Sequence, residues 1–318
     1  GATMFLIATA IPATSSAQTN RKVLADSEAI ADAASVVATH ADRAPVIDGR
    51  DDDPIWRRAP AVTAFREFDP VENGDPRFRT EFKVAYDSHN IYVFIRAFDP
   101  DPAQIRTTLA RRDVRPPSDQ LKVMIDSYHD KRSGFEFAVS PGRVKRDYAM
   151  YNDTGEDPTW DGVWDVATTI DSLGWTAEFA IPMSQLGFNN TPIHTIGFGI
   201  WRDIDRFKER VSWPVFRKSK GTTVSQLGTV TGIGDVGSVH PVELVPYVVT
   251  KNVSTTGAAS YGRAERLSAG ADLKVGVTPS LRLSAAVNPD FGQVEADPSV
   301  LNLGAFETFF SEQRPFVG

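Results

Sequence analysis

The sequence predicts an all-β protein: a β-sandwich of jelly-roll type with an N-terminal arm and extra antiparallel strands towards its C-terminus. Three observations lead there. Glycine (23 residues) and proline (21) are frequent and aromatics make up 10% of the chain, which suits many short strands joined by tight turns. From Pro45 to about Ser219 apolar residues recur with a period of two, and hardly any stretch has helical spacing. With 318 residues, 41% of them hydrophobic, the chain can bury the core of one large or two ordinary domains.

Each segment has its own signature. Met4 to Ile11 is an unbroken apolar run, too short to span a bilayer but suited to the core of a signal peptide, and Ser15 and Ala17 occupy the small-residue positions before a cut at Gln18. No basic region precedes the run, so the sequence is expected to begin inside the leader; residues 1–17 are read as leader or anchor and the protein as exported. Residues 18–44 are polar and alanine-rich. Leu24, Ile30, Ala34 and Val37 fit one short helix opening near Asp26 or Ser27, and the stretch reads as a linker or docking arm.

The sandwich is assigned to residues 45–219. Phe82, Val84 and Tyr86 alternate with polar neighbours, Asp87 to Asn90 supply a turn, and Ile91, Val93 and Ile95 resume the alternation as a hairpin. Further strands are expected at Leu121–Ser127, Phe135–Val139, Val144–Tyr151, Val163–Ile170, Trp175–Ile181, Ile196–Asp203 and Glu209–Trp213. Their parity places Phe82, Val84, Tyr86, Val93, Ile95, Val123, Ile125, Phe137 and Phe179 in the core. A Gly-rich linker is assigned to residues 220–240. Beyond it, at 241–318, Leu267, Ala269, Ala271, Leu273, Val275 and Val277 alternate strictly, as do Leu281, Leu283, Ala285 and Val287. Long, weakly hydrophobic strands of this kind build outer-membrane barrels, but about four fit here, whereas a single-chain barrel needs at least eight.

Charge and motif content narrow the function. A net charge of −7 gives no basic surface to neutralise phosphates, so nucleic acid is not an expected partner. The chain contains no cysteine, which removes disulfides, thiolate metal sites and a cysteine nucleophile. His40, His89, His129, His194 and His240 show no zinc spacing, and no G-x-S-x-G elbow occurs. Gly232 to Gly237 matches G-x-G-x-x-G, but Pro241 and a strand-like stretch follow where a helix would be needed, so it reads as a linker. No catalytic residue is assigned and the protein is read as a non-enzyme.

Two ligand chemistries remain. Calcium takes six to eight oxygen ligands from Asp-rich loops, so Asp99 and Asp101, flanking a proline turn, and Asp126 and Asp130, at a strand end, are candidate ligands; solvated turn carboxylates are the competing reading. No cofactor is otherwise required. Sugars lie on flat aromatic faces beside hydrogen-bonding groups. Trp160, in the polar run GEDPTWDG, is the tryptophan expected to be exposed, with Trp201 and Arg202 next, whereas Trp164 and Trp175 are expected in the core.

The segments PVIDGRDDDPIWRRAP, VAYDSHNIYVFIRAFDPDP, DQLKVMIDSYHD and WDGVWDVATTIDSLGWTAEFAIPMSQL together resemble the family 9 carbohydrate-binding-like domain over roughly Ala44 to Ser219. The later run VNPDFGQVEADPSVLNLGAFETFFSEQRPF resembles the start of the outer-membrane barrel that follows this domain in large bacterial surface proteins. The resemblance implies a periplasmic sandwich with sugar binding and calcium as expectations, and no catalysis. The chain also resembles, more distantly, the membrane-extrinsic sandwich subunit of a bacterial photosynthetic reaction-centre and antenna complex. Three readings follow: a structural subunit gripping an integral membrane protein complex through its terminal arms, which is the leading expectation; a glycan-binding module; and a fragment of a glycoside-hydrolysing protein.

Overall fold

The computed structural model describes residues 34–189, 191–234, 242–257, 260–278 and 281–287. The leader, the helix near Asp26, the end of the G-x-G-x-x-G run and everything after Val287 lie outside these. The strands are β1 (Ser35–Val37), β2 (Thr39–His40), β3 (Arg66–Asp69), β4 (Thr80–Tyr86), β5 (Asn90–Phe98), β6 (Gln120–Asp126), β7 (Gly134–Val139), β8 (Lys145–Tyr151) and β9 (Gly155–Asp157). There follow β10 (Asp165–Asp171), β11 (Gly174–Pro182), β12 (Ile193–Ile204), β13 (Glu209–Trp213), β14 (Gly228–Gly234), β15 (Val242–Gly257), β16 (Ser260–Thr278) and β17 (Leu281–Val287). Among the described residues one short α-helix, α1 (Pro54–Arg58), starts at a proline, which needs no hydrogen-bond acceptor there.

Two sheets form the sandwich. The larger has nine strands in the order β1-β14-β12-β6-β7-β8-β9, with β13 bridging β12 and β3; the smaller runs β10-β11-β5-β4-β2. β12 is long enough to serve two neighbours on one side, meeting β14 through Phe198 and β13 from Ile200 onward. The inner faces meet in one core that joins Phe82, Val93 and Phe179 of the smaller sheet to Val123, Phe137 and Phe198 of the larger. All nine core residues expected from parity are buried. Each contributes about 1.5–3 kcal/mol of apolar burial.

Both outer faces carry smaller clusters. α1 sets Ile55 and Trp56 against Tyr92 and Phe94 of the smaller sheet, while Met124, Tyr148 and Val224 gather on the larger. The tight β10–β11 turn requires Gly174, whose φ is +137° and where an added Cβ would lie 2.2 Å from the Ala97 carbonyl oxygen.

Two assignments from sequence need correction. Within the presumed arm, β1 pairs in parallel with β14 and β2 with β4, so this segment closes an edge of both sheets; Val37, placed on an apolar helix face, is exposed while Val36 is buried. The presumed linker contains β14, because Val230 and Ile233 bury themselves beside β12; the sandwich therefore runs to Gly234. The third sheet, β15-β16-β17, is antiparallel as expected.

Candidate functional site

One end of the sandwich concentrates charge, aromatic rings and hydrogen-bonding capacity. Arg77, Phe78 and Arg79 lead into β4, β5 runs out into Asp99 and Pro100, and Ser172 and Leu173 turn β10 into β11. After β12 the chain makes a single 3-10 turn, Asp205–Phe207, and Lys208 reverses it at φ +53°. Antiparallel pairing brings the pieces together, since Thr80 lies opposite Ala97 and Phe98 opposite Gly174.

Arg202 is the keystone of this end. Alternation along β12 turns it inward, where it is fully buried, and its guanidinium donates to Arg79 O (3.0 Å), Thr80 Oγ1 (3.0 Å) and Phe98 O (2.8 Å). Burial lowers its pKa to about 10, so it remains charged at neutral pH and balances Asp119 and Asp99. Arg202 therefore ties the two sheets and is not a sugar contact as the sequence suggested. Burial also pushes Asp119 up to about 6, while its bond from the Asp205 N–H and the charges of Arg202 and Arg206 pull the other way.

Around this keystone lies a cleft of about 340 Å³ with walls from Phe78, Phe98, Leu173 and Pro100. Phe207, 42% exposed, meets Phe78 edge-on with centroids 5.8 Å apart. Guanidiniums stack on these rings: Arg77 lies 4.3 Å from the Phe207 centroid and Arg79 4.9 Å from that of Phe98. Asp99 lines the cleft as its buried carboxylate. Its Oδ1 accepts from Arg206 Nη2 (2.6 Å) and the Asp101 N–H (2.9 Å). Asp99 Oδ2 and Arg206 Nη1 are buried without a protein partner, which leaves one acceptor and one donor unspent in a single ion pair. A second cavity, of about 430 Å³, includes Asp205 and Lys208 in its lining, and its charges are already paired, as in Arg115–Asp203 (2.6 Å) and Lys208–Asp205 (2.6 Å).

The tryptophans named from sequence do not stand free. Trp201 lies on the outer face of the larger sheet, its ring centroid 4.7 Å from Phe68 and 4.6 Å from Phe216, with the Lys122 ammonium 5.4 Å away. Trp160 is half-buried against Phe135 (4.7 Å) and Phe137 (5.8 Å), because the polar residues around it fold its ring back onto the core. Trp164 and Trp175 are buried as expected.

The four aspartates named for calcium do not converge. Asp99 is committed to a guanidinium, whose charge opposes a cation, and Asp101 is exposed. Asp126 accepts the Asp130 and Lys131 N–H groups, and Asp130 accepts from Arg132 N and from Ser133 N and Oγ. This second pair sits at the far end of β6, about 20 Å of strand from Asp119 and its Asp99–Arg206 neighbours. Among the described residues no group of three or more Asp, Glu or His side chains is arranged to hold a metal.

The family comparison concerns the sandwich directly. A model described as carbohydrate family 9 binding domain-like matches residues 47–229, more than half of the chain. The chain belongs to this family. The family 9 binding-like domain thus carries the whole cleft. A second model, Domain of unknown function (DUF5916), matches residues 241–318. Among solved structures, the chain is similar to a family 9 carbohydrate-binding module from Caldicellulosiruptor kristjanssonii in complex with glucose. They share 17% identity at a TM-score of 0.46, over 65% of this chain and 100% of that one. It is similar also to a family 9 module of the same organism in complex with cellotriose, with 19% identity and a TM-score of 0.44 over 65% of this chain and 98% of that one. No curated protein matches the chain.

Sequence reasoning missed the cleft because it looked for tryptophan. The available signal was a repeated basic–Phe–basic triplet, Arg77-Phe78-Arg79 and Arg206-Phe207-Lys208, each beside a strand terminus.

Proposed function

We propose that this chain is a non-catalytic glycan-binding protein whose ligand lies in the cleft lined by Phe78 and Phe98, beside the exposed ring of Phe207. The observation that carries the proposal is the meeting, in one cleft, of the Phe78 and Phe98 rings with the exposed guanidiniums of Arg77 and Arg79, apolar faces beside hydrogen-bonding groups that a sugar ring and its hydroxyls can use. Family membership supports this reading over attachment to a photosynthetic or other membrane complex. We read the protein as periplasmic, a reading that the leader-like run Met4 to Ile11 supports. The test is a glycan array followed by calorimetric titration of the best ligand. Phe207→Ala is expected to weaken binding about tenfold, the worth of one good ring contact. An array with no hits, or a variant that binds like wild type, sinks the proposal; release of reducing sugar by the repurified protein removes its non-catalytic part.

Membrane association is a second reading, favoured by one feature of the C-terminal sheet. Register puts Leu244, Val248, Leu267, Ala269, Leu273, Leu283 and Val287 on one face, from which Leu267 is 74% and Leu283 56% exposed. Asp272 and Tyr247 occupy the opposite, less exposed face. This is the reverse of a sheet built for water and matches lipid-facing strands; Leu267 to Val275 spans about 26 Å, close to the height of a barrel's apolar band. Vesicle flotation of wild type and of Val248→Asp tests it: wild type should float and the variant should not, and equal behaviour removes the reading.

A further inference from the structure

We propose that the glycan received by the cleft is anionic, a hexuronic-acid oligosaccharide whose carboxylate is held by Arg77 and Arg79; this rests on the cleft being the glycan site. The protein as a whole carries −7 and would repel such a ligand, so its capture needs a local reversal of sign. The cleft provides one. Among the described residues Asp99 is the one carboxylate lining the cleft and is spent on Arg206, whereas the side chains of Arg77 and Arg79 are 51% and 61% exposed at its rim.

The carboxylates that pair with these arginines lie behind them. Glu209 accepts from Arg77 Nε at 3.1 Å and Glu81 from Arg79 Nη2 at 2.7 Å, and both acids are largely covered while the guanidiniums face outward. Each guanidinium has five N–H donors in a fixed fork, so one bond to a glutamate leaves others for a second, bidentate carboxylate. Stacking on Phe207 and Phe98 fixes the planes of both forks before a ligand arrives, which lowers the entropy lost on binding. A neutral sugar can accept single hydrogen bonds from the two guanidiniums, whereas a uronate adds charge pairing and the bidentate fit of carboxylate to fork. Its ring would lie on Phe78 and Phe98 and its carboxylate on the rim arginines.

The experiment titrates the full chain with oligogalacturonide and with the same oligosaccharide after chemical reduction of its carboxyl groups, at 50 and 500 mM NaCl. Wild type is expected to bind the acid at least tenfold more tightly than the reduced form, with the preference shrinking at high salt. Arg77→Gln/Arg79→Gln should abolish the preference, so that the acid and the reduced form bind this variant within about twofold of each other, and Arg79→Lys, which keeps the charge but not the fork, should fall between. Equal affinity of wild type for the two forms overturns the inference while leaving the glycan reading intact, and this comparison does not depend on any variant folding. Failure of both forms to bind, together with a blank glycan array, overturns both.

Discussion

Glu178 gives the sharpest quantitative prediction, because its fully buried carboxylate is the clasp that holds the first segment of the sandwich. Its Oε1 accepts the Trp56 indole N–H at 2.8 Å, and its Oε2 accepts the backbone N–H groups of Gly49 (2.9 Å) and Asp48 (3.1 Å). Burial raises its pKa from 4.5 to about 7, against the pull of those three donors. A carboxyl whose folded pKa lies above its unfolded one binds its proton more tightly in the folded state. Its contribution to stability is complete below pH 4.5 and is lost as pH rises through 7. The step from 4.5 to about 7 corresponds to roughly 3 kcal/mol. Glu178→Gln removes this dependence, and its amide resembles the protonated carboxyl, since the amide nitrogen, like the carboxyl OH, carries hydrogen towards the indole or the backbone pair. The stability of wild type relative to the variant should therefore fall by about 2.5 kcal/mol between pH 5 and pH 8. Urea unfolding followed by tryptophan fluorescence reads both values. Asp119, raised to about 6, adds a slope of the same sign to both proteins and cancels in the difference. A gap that stays the same at both pH values refutes the reasoning.

Other residues give simpler outcomes. Arg202→Met should cost about 3–5 kcal/mol in urea unfolding, because it strands three acceptors and removes a buried countercharge of Asp119; a loss below about 1 kcal/mol would show that Arg202 is dispensable to the sheet junction. Gly174→Ala should lower stability by more than about 2 kcal/mol, since its backbone is left-handed and its new methyl collides with a carbonyl, and unchanged thermal unfolding contradicts that turn. Trp201→Ala should weaken folding but leave glycan affinity within about twofold; a large loss of binding would return Trp201 to the site.

What could be read from the sequence follows from how many residues carry each signal. The hairpin of β4 and β5 repeats its alternation over a dozen residues, so parity alone identified Phe82, Val93 and Ile95 as core. β1 is short and depends on a partner almost 200 residues away, as in the pairing of Val36 with Val230, and β14 is a short strand recruited by β12; nothing local to either segment encodes those contacts. The same limit explains the site. Arg202 and Trp201 are adjacent in sequence, yet strand alternation sends one to the ion cluster at the sheet junction and the other to the opposite face. Asp99 becomes a cleft carboxylate only because Arg206, from a turn more than 100 residues later, takes one of its oxygens. Residue type thus indicated the chemistry, while long-range pairing decided which residues perform it. The basic–Phe–basic triplets were readable because both their charge and their rings are local, whereas their meeting, Phe78 against Phe207, is a product of the fold. A search for paired triplets at strand termini would therefore find this kind of cleft where a search for exposed tryptophan does not.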